Sequence, residues 1–186
     1  PFLFRIPATG QVPLAFAARG LPAGLTLDAT TGIISGSVAE AGEYPVTLAV
    51  TNRLGRTSGT LTIRVGDALA LTPPMGWNSW NVYGLNVDDA KVRASADVLI
   101  KSGLAAHGWT YVNIDDGWEA ARRAPGGEIA SNAKFPDMNA LSGYLHARGL
   151  RFGIYSSPGP LTCGGFLGSY QHEQPDAETY ARWGND

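Results

Sequence analysis

Two kinds of hydrophobic periodicity divide the chain into two parts. In the N-terminal part, apolar residues alternate with polar or small ones over residues 44–51 and 60–65, which is the period of β-strands buried on one face. The segment NRLGRTSG (residues 52–59) between them is rich in turn formers and predicts a hairpin. Because no helical periodicity interrupts residues 1–68, this part predicts a small antiparallel, immunoglobulin-like β-sandwich.

After a predicted linker or domain entry at residues 65–74, strand and helix patterns alternate. The predicted strands are short and apolar, and they cover residues 75–81, 110–115 and 151–157. Each is followed by apolar residues at helical spacing, over residues 88–106, 138–149 and 175–184, and Asp88 or Asp89 caps the first of these helices. Three consecutive strand–helix units predict a parallel sheet with right-handed crossovers.

Three parallel strands are too few to close a barrel, and an open sheet of this kind would leave a buried-type edge exposed. We therefore expect the 186 residues to be a truncated chain in which a fourth strand follows Asp186. The domains expected are a β-sandwich module over residues 1–68 and the first part of an α/β domain over residues 69–186.

Composition excludes several kinds of partner and site. The net charge is −2 with 14 Lys and Arg that form no cluster, so we expect neither nucleic acid nor an anionic membrane as partner. No apolar run reaches the length of a membrane span, and no signal peptide is visible. Three scattered histidines and one cysteine do not form a zinc motif, and the glycine pairs lack a phosphate-loop lysine, so no metal or cofactor is expected.

The motif YVNIDDGW (residues 111–118) carries the main candidate chemistry. It places Asp115 and Asp116 at the C-terminal end of a predicted parallel strand, where α/β folds gather their functional groups. Two adjacent carboxylates repel each other and need hydrogen-bond donors, which sugar hydroxyls supply. The alternative interpretation is that Asp116 and Gly117 simply form a turn.

Aromatic residues near the predicted strand ends favour the sugar hypothesis. We expect Trp77, Trp80, Trp118 and Tyr155 to converge on one rim, where aromatic faces pack against the C–H faces of sugar rings. The position of Trp80 and Tyr155 favours ligand contact, whereas Trp77, Trp109 and Trp183 are equally or better explained as core residues. Cys163 is either a reduced thiol or half of a disulfide, and residue frequencies alone favour a buried thiol.

Several motifs together resemble a known family. The segments TPPMGWNSWN, YVNIDDGW, LTCGG and DAETYARWG, within residues 71–186, resemble the opening third of the catalytic barrel of glycoside hydrolase family 27, the α-galactosidases. Residues 21–52 resemble an immunoglobulin-like repeat of bacterial secreted and surface proteins. The family resemblance implies a (β/α)8 TIM barrel followed by an antiparallel β domain, and hydrolysis of α-galactosides with retention.

The resemblance also implies roles for single residues. It makes Asp115 and Asp116 acceptors for sugar hydroxyls, including the axial one of galactose, and it places Trp80 and Tyr155 in the sugar pocket. Both catalytic carboxylates of the family would lie beyond residue 186, about 5–5.5 Å apart. Cys163 would form a disulfide with a cysteine that also lies beyond residue 186. Gly117 departs from the many relatives that have a bridged cysteine there.

These expectations describe a fragment of a bacterial α-galactosidase that is secreted, periplasmic or on the cell surface, and that is inactive by itself because it has no catalytic residue. Its partner would be a carbohydrate with a terminal α-galactosyl group. Two alternatives from other classes stay open at this point, a non-catalytic sugar-binding protein and a cell-surface adhesion protein. The related specificities of α-N-acetylgalactosaminidase and β-L-arabinopyranosidase also stay open.

Overall fold

The structure is a computed structural model that describes residues 2–68 and 73–186. It divides into two compact units, Pro1–Pro74 with Gly103–Gly108, and Met75–Ser102 with Trp109–Asp186. The predicted domain boundary between residues 68 and 69, and the centre of the predicted linker, lie outside the described residues.

The N-terminal unit consists of two three-stranded sheets. One sheet has the order β1-β4-β3 and the other the order β2-β5-β6, and all neighbouring strands are antiparallel. The strands are β1 (Phe2–Arg5), β2 (Ala15–Arg19), β3 (Leu25–Leu27), β4 (Ile33–Gly36), β5 (Gly42–Asn52) and β6 (Gly55–Val65). Side chains from both sheets form one core, among them Leu25, Ile34, Val46 and Ile63. This arrangement confirms the predicted immunoglobulin-like sandwich.

The hairpin between β5 and β6 is tighter than the sequence predicts. Its loop consists only of Arg53 and Leu54, and the strands continue on either side of it. The side-chain oxygen of Asn52 accepts hydrogen bonds from the backbone amides of Leu54 (2.9 Å) and Gly55 (3.2 Å). Because one asparagine satisfies both turn amides, the strands extend through most of the predicted eight-residue turn.

The C-terminal unit contains a three-stranded parallel sheet in the order β7-β8-β9. The strands are β7 (Gly76–Asn78), β8 (Tyr111–Ile114) and β9 (Arg151–Ile154). The helices are α1 (Trp80–Tyr83), α2 (Asp89–Lys101), α3 (Met138–His146) and α4 (Glu173–Trp183), with a 3-10 turn at Gly84–Asn86. The 3-10 turn at Leu104–His107 is grouped with the N-terminal unit. The buried residues Val112, Ile114, Phe152, Leu141 and Leu145 join the sheet to its helices.

Local signals explain where the helices start and stop. Asp88 and Asp137 cap α2 and α3, because their carboxylates accept the backbone amides of Lys91 and Ala140. The predicted helix over residues 88–106 is too long, since α2 ends at Lys101 and Gly103 adopts a left-handed conformation with φ of 86°. Within the described ranges, none of the helices has the length and apolar character needed to span a membrane.

Candidate functional site

The predicted site residues follow the C-terminal ends of the three parallel strands. Asn78 ends β7, Asp115 and Asp116 follow β8, and Tyr155 follows β9. The strands are shorter than predicted, and Trp80 begins α1 instead of ending the first strand. The polar residues beyond each strand are therefore free to turn towards their neighbours at this edge of the sheet.

Asp115 is oriented by the end of β7. The side-chain amide of Asn78 donates to Asp115 Oδ2 (2.8 Å), and the backbone amide of Asp115 donates to Oγ of the buried Ser79 (2.9 Å). The other side-chain atom of Asn78, its Oδ1, accepts the backbone amide of Trp80 (2.8 Å). One asparagine thus links the half-buried carboxylate to the backbone of the predicted aromatic contact.

Asp116 points the other way, towards the loop between β9 and α4. Its Oδ1 accepts the hydroxyl of Thr162 (2.8 Å), and its Oδ2 accepts the backbone amide of Gly164. Only 1% of Asp116 is exposed, yet a carboxylate offers about four lone-pair sites, so each oxygen retains capacity for a further donor. The two adjacent carboxylates are therefore held apart by donors from different loops, which removes the expected conflict between them.

The aromatic residues of the predicted rim fall into two groups. Trp80 is 42% exposed and Tyr155 is half-buried, so both remain accessible. Trp118 is fully buried, where its Nε1 donates to the carbonyl oxygen of Tyr155 (2.9 Å) and its ring packs edge-on against Tyr180 and Trp183. The prediction that Trp118 lies on the rim is wrong, because its ring points into the core and is hydrogen-bonded there to the backbone of Tyr155.

The three tryptophans interpreted as core residues have different outcomes. Trp183 is half-buried and packs edge-on against Trp118, with ring centroids 5.7 Å apart. Trp77 is half-buried and packs edge-on against Tyr83, with ring centroids 6.1 Å apart. Trp109 is 43% exposed, so the interpretation of Trp109 as a core residue is wrong. Trp109 precedes the first residue of β8 and therefore lies at the opposite end of that strand from Asp115.

Cys163 is exposed, so the frequency-based interpretation as a buried thiol is wrong. The hydroxyl of Tyr155 donates to Cys163 Sγ (3.6 Å), and this hydrogen bond together with desolvation raises the pKa of Tyr155. Cys163 lies between the two residues, Thr162 and Gly164, that hold Asp116. The predicted disulfide with a cysteine beyond residue 186 stays a prediction.

Sequence reasoning missed the residues that orient the two carboxylates. The polar pair Asn78–Ser79 between two tryptophans could have indicated two of these residues, because two polar residues at a strand end present hydrogen-bonding groups to the next strand. Thr162 and Gly164 stand in LTCGG, where a hydroxyl and a flexible backbone next to each other are typical of an anion-holding turn.

A buried ion pair ties together the loops that surround the site. The guanidinium of Arg123 donates to both carboxylate oxygens of Asp176, which is fully buried in the first turn of α4, and also to the carbonyl oxygens of Gly127 and Gly168. These bonds to Asp176 raise the pKa of Arg123. Arg123 therefore joins the loop after β8 to the loop before α4.

Gly117 gives the turn after the two carboxylates its shape. Its φ is +96°, and a Cβ there would lie 3.2, 3.3 and 3.4 Å from Cδ2, Cα and O of Leu85. We expect Gly117→Ala to lower the free energy of unfolding by about 1–3 kcal/mol, because alanine resists this conformation and crowds Leu85. Urea denaturation followed by tryptophan fluorescence measures this change, since all five tryptophans lie between residues 77 and 183.

The matched control for this substitution is Gly143→Ala in α3. Apart from its chain neighbours and the backbone of its own helix, a Cβ at Gly143 would meet no atom within 4 Å, and alanine favours a helix over glycine by about 0.5–1 kcal/mol. The control is therefore expected to be stabilising. Equal effects of the two substitutions would contradict the assigned role of Gly117.

The arrangement of this site is suited to recognition of a polyhydroxylated ligand. Two oriented carboxylates accept hydrogen bonds from hydroxyl groups, and the exposed Trp80 and half-buried Tyr155 offer aromatic faces. Among the described residues, no group of three or more His, Cys, Asp or Glu side chains is placed to hold a metal ion. The chemistry available at this edge of the sheet is thus acceptance of hydrogen bonds combined with apolar stacking.

Comparison with known proteins supports the family resemblance. The alpha galactosidase A family model matches residues 72–186, and a family of Ig domains matches residues 1–66. Alpha-galactosidase A of Cellvibrio japonicus is 51% identical over 64% of this chain and 30% of its own length. Alpha-galactosidase 2 of Arabidopsis thaliana is 46% identical over 66% of this chain and 32% of its own length.

Solved structures extend the similarity to both units. A candidate alpha-galactosidase from Bacteroides fragilis matches 100% of this chain and 40% of its own chain, with a TM-score of 0.97 and 46% identity. Alpha-galactosidase I from Mortierella vinacea matches 66% of this chain and 31% of its own, with a TM-score of 0.63 and 44% identity. The chain thus spans about a third of the length of the curated relatives it matches. Because the family model covers more than half of its residues, the chain belongs to the alpha-galactosidase family, glycoside hydrolase family 27.

Proposed function

We propose that the chain is part of a retaining α-galactosidase and that it supplies one side of the pocket for a terminal α-galactosyl group. The observation that carries the proposal is the pair Asp115 and Asp116, held by donors from opposite sides at the end of β8. Trp80 and Tyr155 lie on the neighbouring segments and supply the aromatic contacts. The names of the relatives agree with this proposal, because the relatives that match this chain are named alpha-galactosidases.

We further propose that the three strand–helix units are the first three of a (β/α)8 barrel, with domains over residues 1–68 and 69–186. The outer edge of β9 supports this extension. The backbone amide of Asp186 donates to the carbonyl oxygen of Phe152 (2.9 Å), and the amide of Phe152 donates to Asp186 Oδ2 (2.9 Å). A strand that continues from Asp186 would therefore already be in register beside β9.

In the proposed reaction, Asp115 and Asp116 bind substrate and do not perform the chemistry. Retaining hydrolysis requires one carboxylate that attacks the anomeric carbon and one carboxylic acid that protonates the leaving oxygen, on opposite sides of the scissile bond. Asp115 and Asp116 are neighbours on one strand end and cannot occupy those two places. We place both catalytic carboxylates in the part of the enzyme that follows residue 186.

We expect residues 1–186 alone to release no nitrophenol from a nitrophenyl α-galactoside, whereas a chain extended to the full length of its relatives does so. Asp115 and Asp116 serve as hydroxyl acceptors in this proposal, and the pair of carboxyl groups that attacks and protonates the glycosidic bond is supplied by the longer chain. The measurement is a spectrophotometric assay of both purified chains. Turnover by the shorter chain at a rate comparable with the longer one would overturn the assignment of the catalytic residues.

The same experiment separates the enzyme from a non-catalytic sugar-binding protein. An extended chain that binds galactose in calorimetry but releases no nitrophenol would contradict the enzyme and favour the binding protein. Nitrophenyl glycosides of α-N-acetylgalactosamine and β-L-arabinopyranose, tested beside the galactoside, decide between the related specificities. Release that is fastest from the galactoside supports the specificity proposed here.

We propose a bacterial protein that is secreted, periplasmic or on the cell surface. The exposed thiol of Cys163 supports this location, because an accessible cysteine in a loop is placed to form the disulfide that the family resemblance implies. The Ig-like unit is also typical of secreted and surface proteins. Thiol titration of the extended chain, before and after reduction, tests the disulfide.

A further inference from the structure

Glu119 is a buried carboxyl group immediately behind the two proposed sugar-binding aspartates. Only 1% of the residue is exposed. Its Oε2 accepts the backbone amide of Gly117 (3.0 Å), so the side chain folds back onto the turn that follows Asp116. Its Oε1 is buried and has no hydrogen-bond partner among the described residues.

The backbone of Glu119 is fixed as firmly as its side chain. The side-chain amide of Asn132 donates to the carbonyl oxygens of Gly117 (2.9 Å) and Glu119 (3.2 Å), and Glu119 forms an antiparallel bridge with Ser131. Because the backbone is fixed in this way, the carboxyl group stays in its buried place as long as its bond to the Gly117 amide is kept. Its surroundings decide whether it carries a charge.

Three titratable groups face Glu119 from the elements around it, Asp116, Lys134 and Tyr180. Asp116 is an anion and opposes a second negative charge nearby. Lys134 directs its ammonium group to the carbonyl oxygen of Leu85 (2.8 Å), and no ion pair joins it to Glu119 among the residues described. Tyr180 lies in α4 and is an uncharged phenol. An ionised Glu119 would thus be a buried anion without a contacting cation, which is costly.

We propose that Glu119 is a positioning residue whose neutral carboxyl group holds the Gly117 amide, and that its ionisation weakens sugar binding at Asp115 and Asp116. This inference rests on the proposed function of those two aspartates. The neutral group keeps a carbonyl oxygen for the Gly117 amide while adding no charge beside Asp116. Loss of the proton places two carboxylates on either side of one turn, and their repulsion acts directly on its geometry.

The electrostatics agree with this geometry. Burial raises the pKa of Glu119 to about 7, and the Asp116 carboxylate adds to the increase against the opposing effect of nearby backbone amides. A carboxyl group with a raised pKa stabilises the folded state fully below its unfolded value of 4.5. That stability is lost as the pH rises from 4.5 through about 7, because the unfolded chain releases the proton first.

The first test compares the wild-type protein with Glu119→Gln and with Glu178→Gln, an exposed glutamate of α4 that serves as control. Urea denaturation between pH 4.5 and 8 is followed by tryptophan fluorescence. Glutamine keeps the oxygen that accepts the Gly117 amide and is neutral at every pH. We expect the unfolding constant of the wild type to rise relative to that of Glu119→Gln by roughly 100-fold over this range. Glu178→Gln should follow the wild type.

The second test introduces the same substitutions, together with Glu119→Ala, into the chain extended to the full length of its relatives, which holds the complete pocket. It measures the galactose dissociation constant of each protein by calorimetry. A coupling of one pKa unit lowers the wild-type affinity by roughly fivefold between pH 6 and 8, towards a limit of about tenfold at higher pH. The affinity of Glu119→Gln should stay constant, and Glu119→Ala should bind weakly at every pH because it no longer holds Gly117.

Each outcome decides a different claim. Parallel pH profiles of the wild type and Glu119→Gln, in stability and in affinity, would overturn the inference about Glu119. Equal binding by Glu119→Ala and the wild type would also overturn it. Failure of every variant to bind galactose at any pH would instead contradict the proposed function, while the stability profiles would still report the charge state of Glu119.

Discussion

Replacing Asp176 with asparagine is expected to lower the free energy of unfolding of the C-terminal unit by about 3–5 kcal/mol. Asp176 is fully buried, and both of its carboxylate oxygens accept hydrogen bonds from Arg123. The substitution hardly changes the shape of the side chain, but it leaves the guanidinium without its counterion in a largely buried place. Removing one partner of a buried ion pair leaves an uncompensated charge and lowers the free energy of unfolding strongly. Replacing both partners by apolar residues changes it much less.

The matched control is Asp97→Asn, which breaks the ion pair between Asp97 and Arg148 on the surface of the same unit. The Asp97 side chain is about half exposed, and exposed pairs contribute roughly 0–1 kcal/mol. Urea denaturation followed by tryptophan fluorescence measures both variants in this unit alone. A loss of less than about 1 kcal/mol for Asp176→Asn would show that the buried pair does not hold the loops together.

The Arg123–Asp176 pair also affects the candidate site, because Arg123 contacts the loop that orients Asp116. Arg123 also binds the carbonyl oxygen of Gly168 in the loop between β9 and α4. Earlier in the same loop, Thr162 and Gly164 supply the donors for Asp116. The ion pair thus stabilises the segment that orients one of the two proposed sugar acceptors.

The parts of the fold that sequence predicted correctly depend on local patterns. Alternation of apolar residues placed Val46 and Ile63 in the core of the sandwich, and the predicted cap at Asp88 or Asp89 marked the start of α2, where Asp88 is the cap. Period and capping are properties of a few neighbouring residues, so one sequence is enough to read them. The position of Asp115 and Asp116 at a strand end follows from the same kind of pattern.

The parts that sequence did not predict depend on contacts between distant residues. Arg123 and Asp176 are separated by 53 positions and Thr162 and Asp116 by 46, and no local signal pairs them. The direction of Trp118 is also a tertiary property, since its ring turns inward to reach Tyr155 and the aromatic residues of α4. The C-terminal ends of the strands were predicted too far along the chain for the same reason. Strand β7 ends at Asn78, whose side chain bonds to Asp115, 37 positions away.

The proposed roles of the two aspartates predict that Asp116→Asn and Asp115→Asn differ in stability while both weaken galactose binding. Each substitution removes a charged acceptor for sugar hydroxyls, which is worth about 1.5–3 kcal/mol, so the dissociation constant should rise by about 10- to 150-fold. The fold tolerates Asp116→Asn, since the new amide can donate to the hydroxyl oxygen of Thr162 while the remaining oxygen still accepts the Gly164 amide.

Asp115→Asn has no comparable hydrogen-bonding arrangement, so it is expected to lose more stability than Asp116→Asn. Both oxygens of Asp115 face donors, the side-chain amide of Asn78 and the backbone amide of Asp116, and Asn78 cannot flip because its own oxygen accepts the amide of Trp80. A donor must then face a donor, which should cost about 1–3 kcal/mol of stability. Calorimetric titration of the extended chain with galactose measures the first effect. Urea denaturation of both variants, with the exposed Glu178→Gln of the same unit as control, measures the second. Unchanged galactose affinity in both aspartate variants would exclude them from the pocket, and a larger stability loss in Asp116→Asn would reverse the hydrogen-bond assignment.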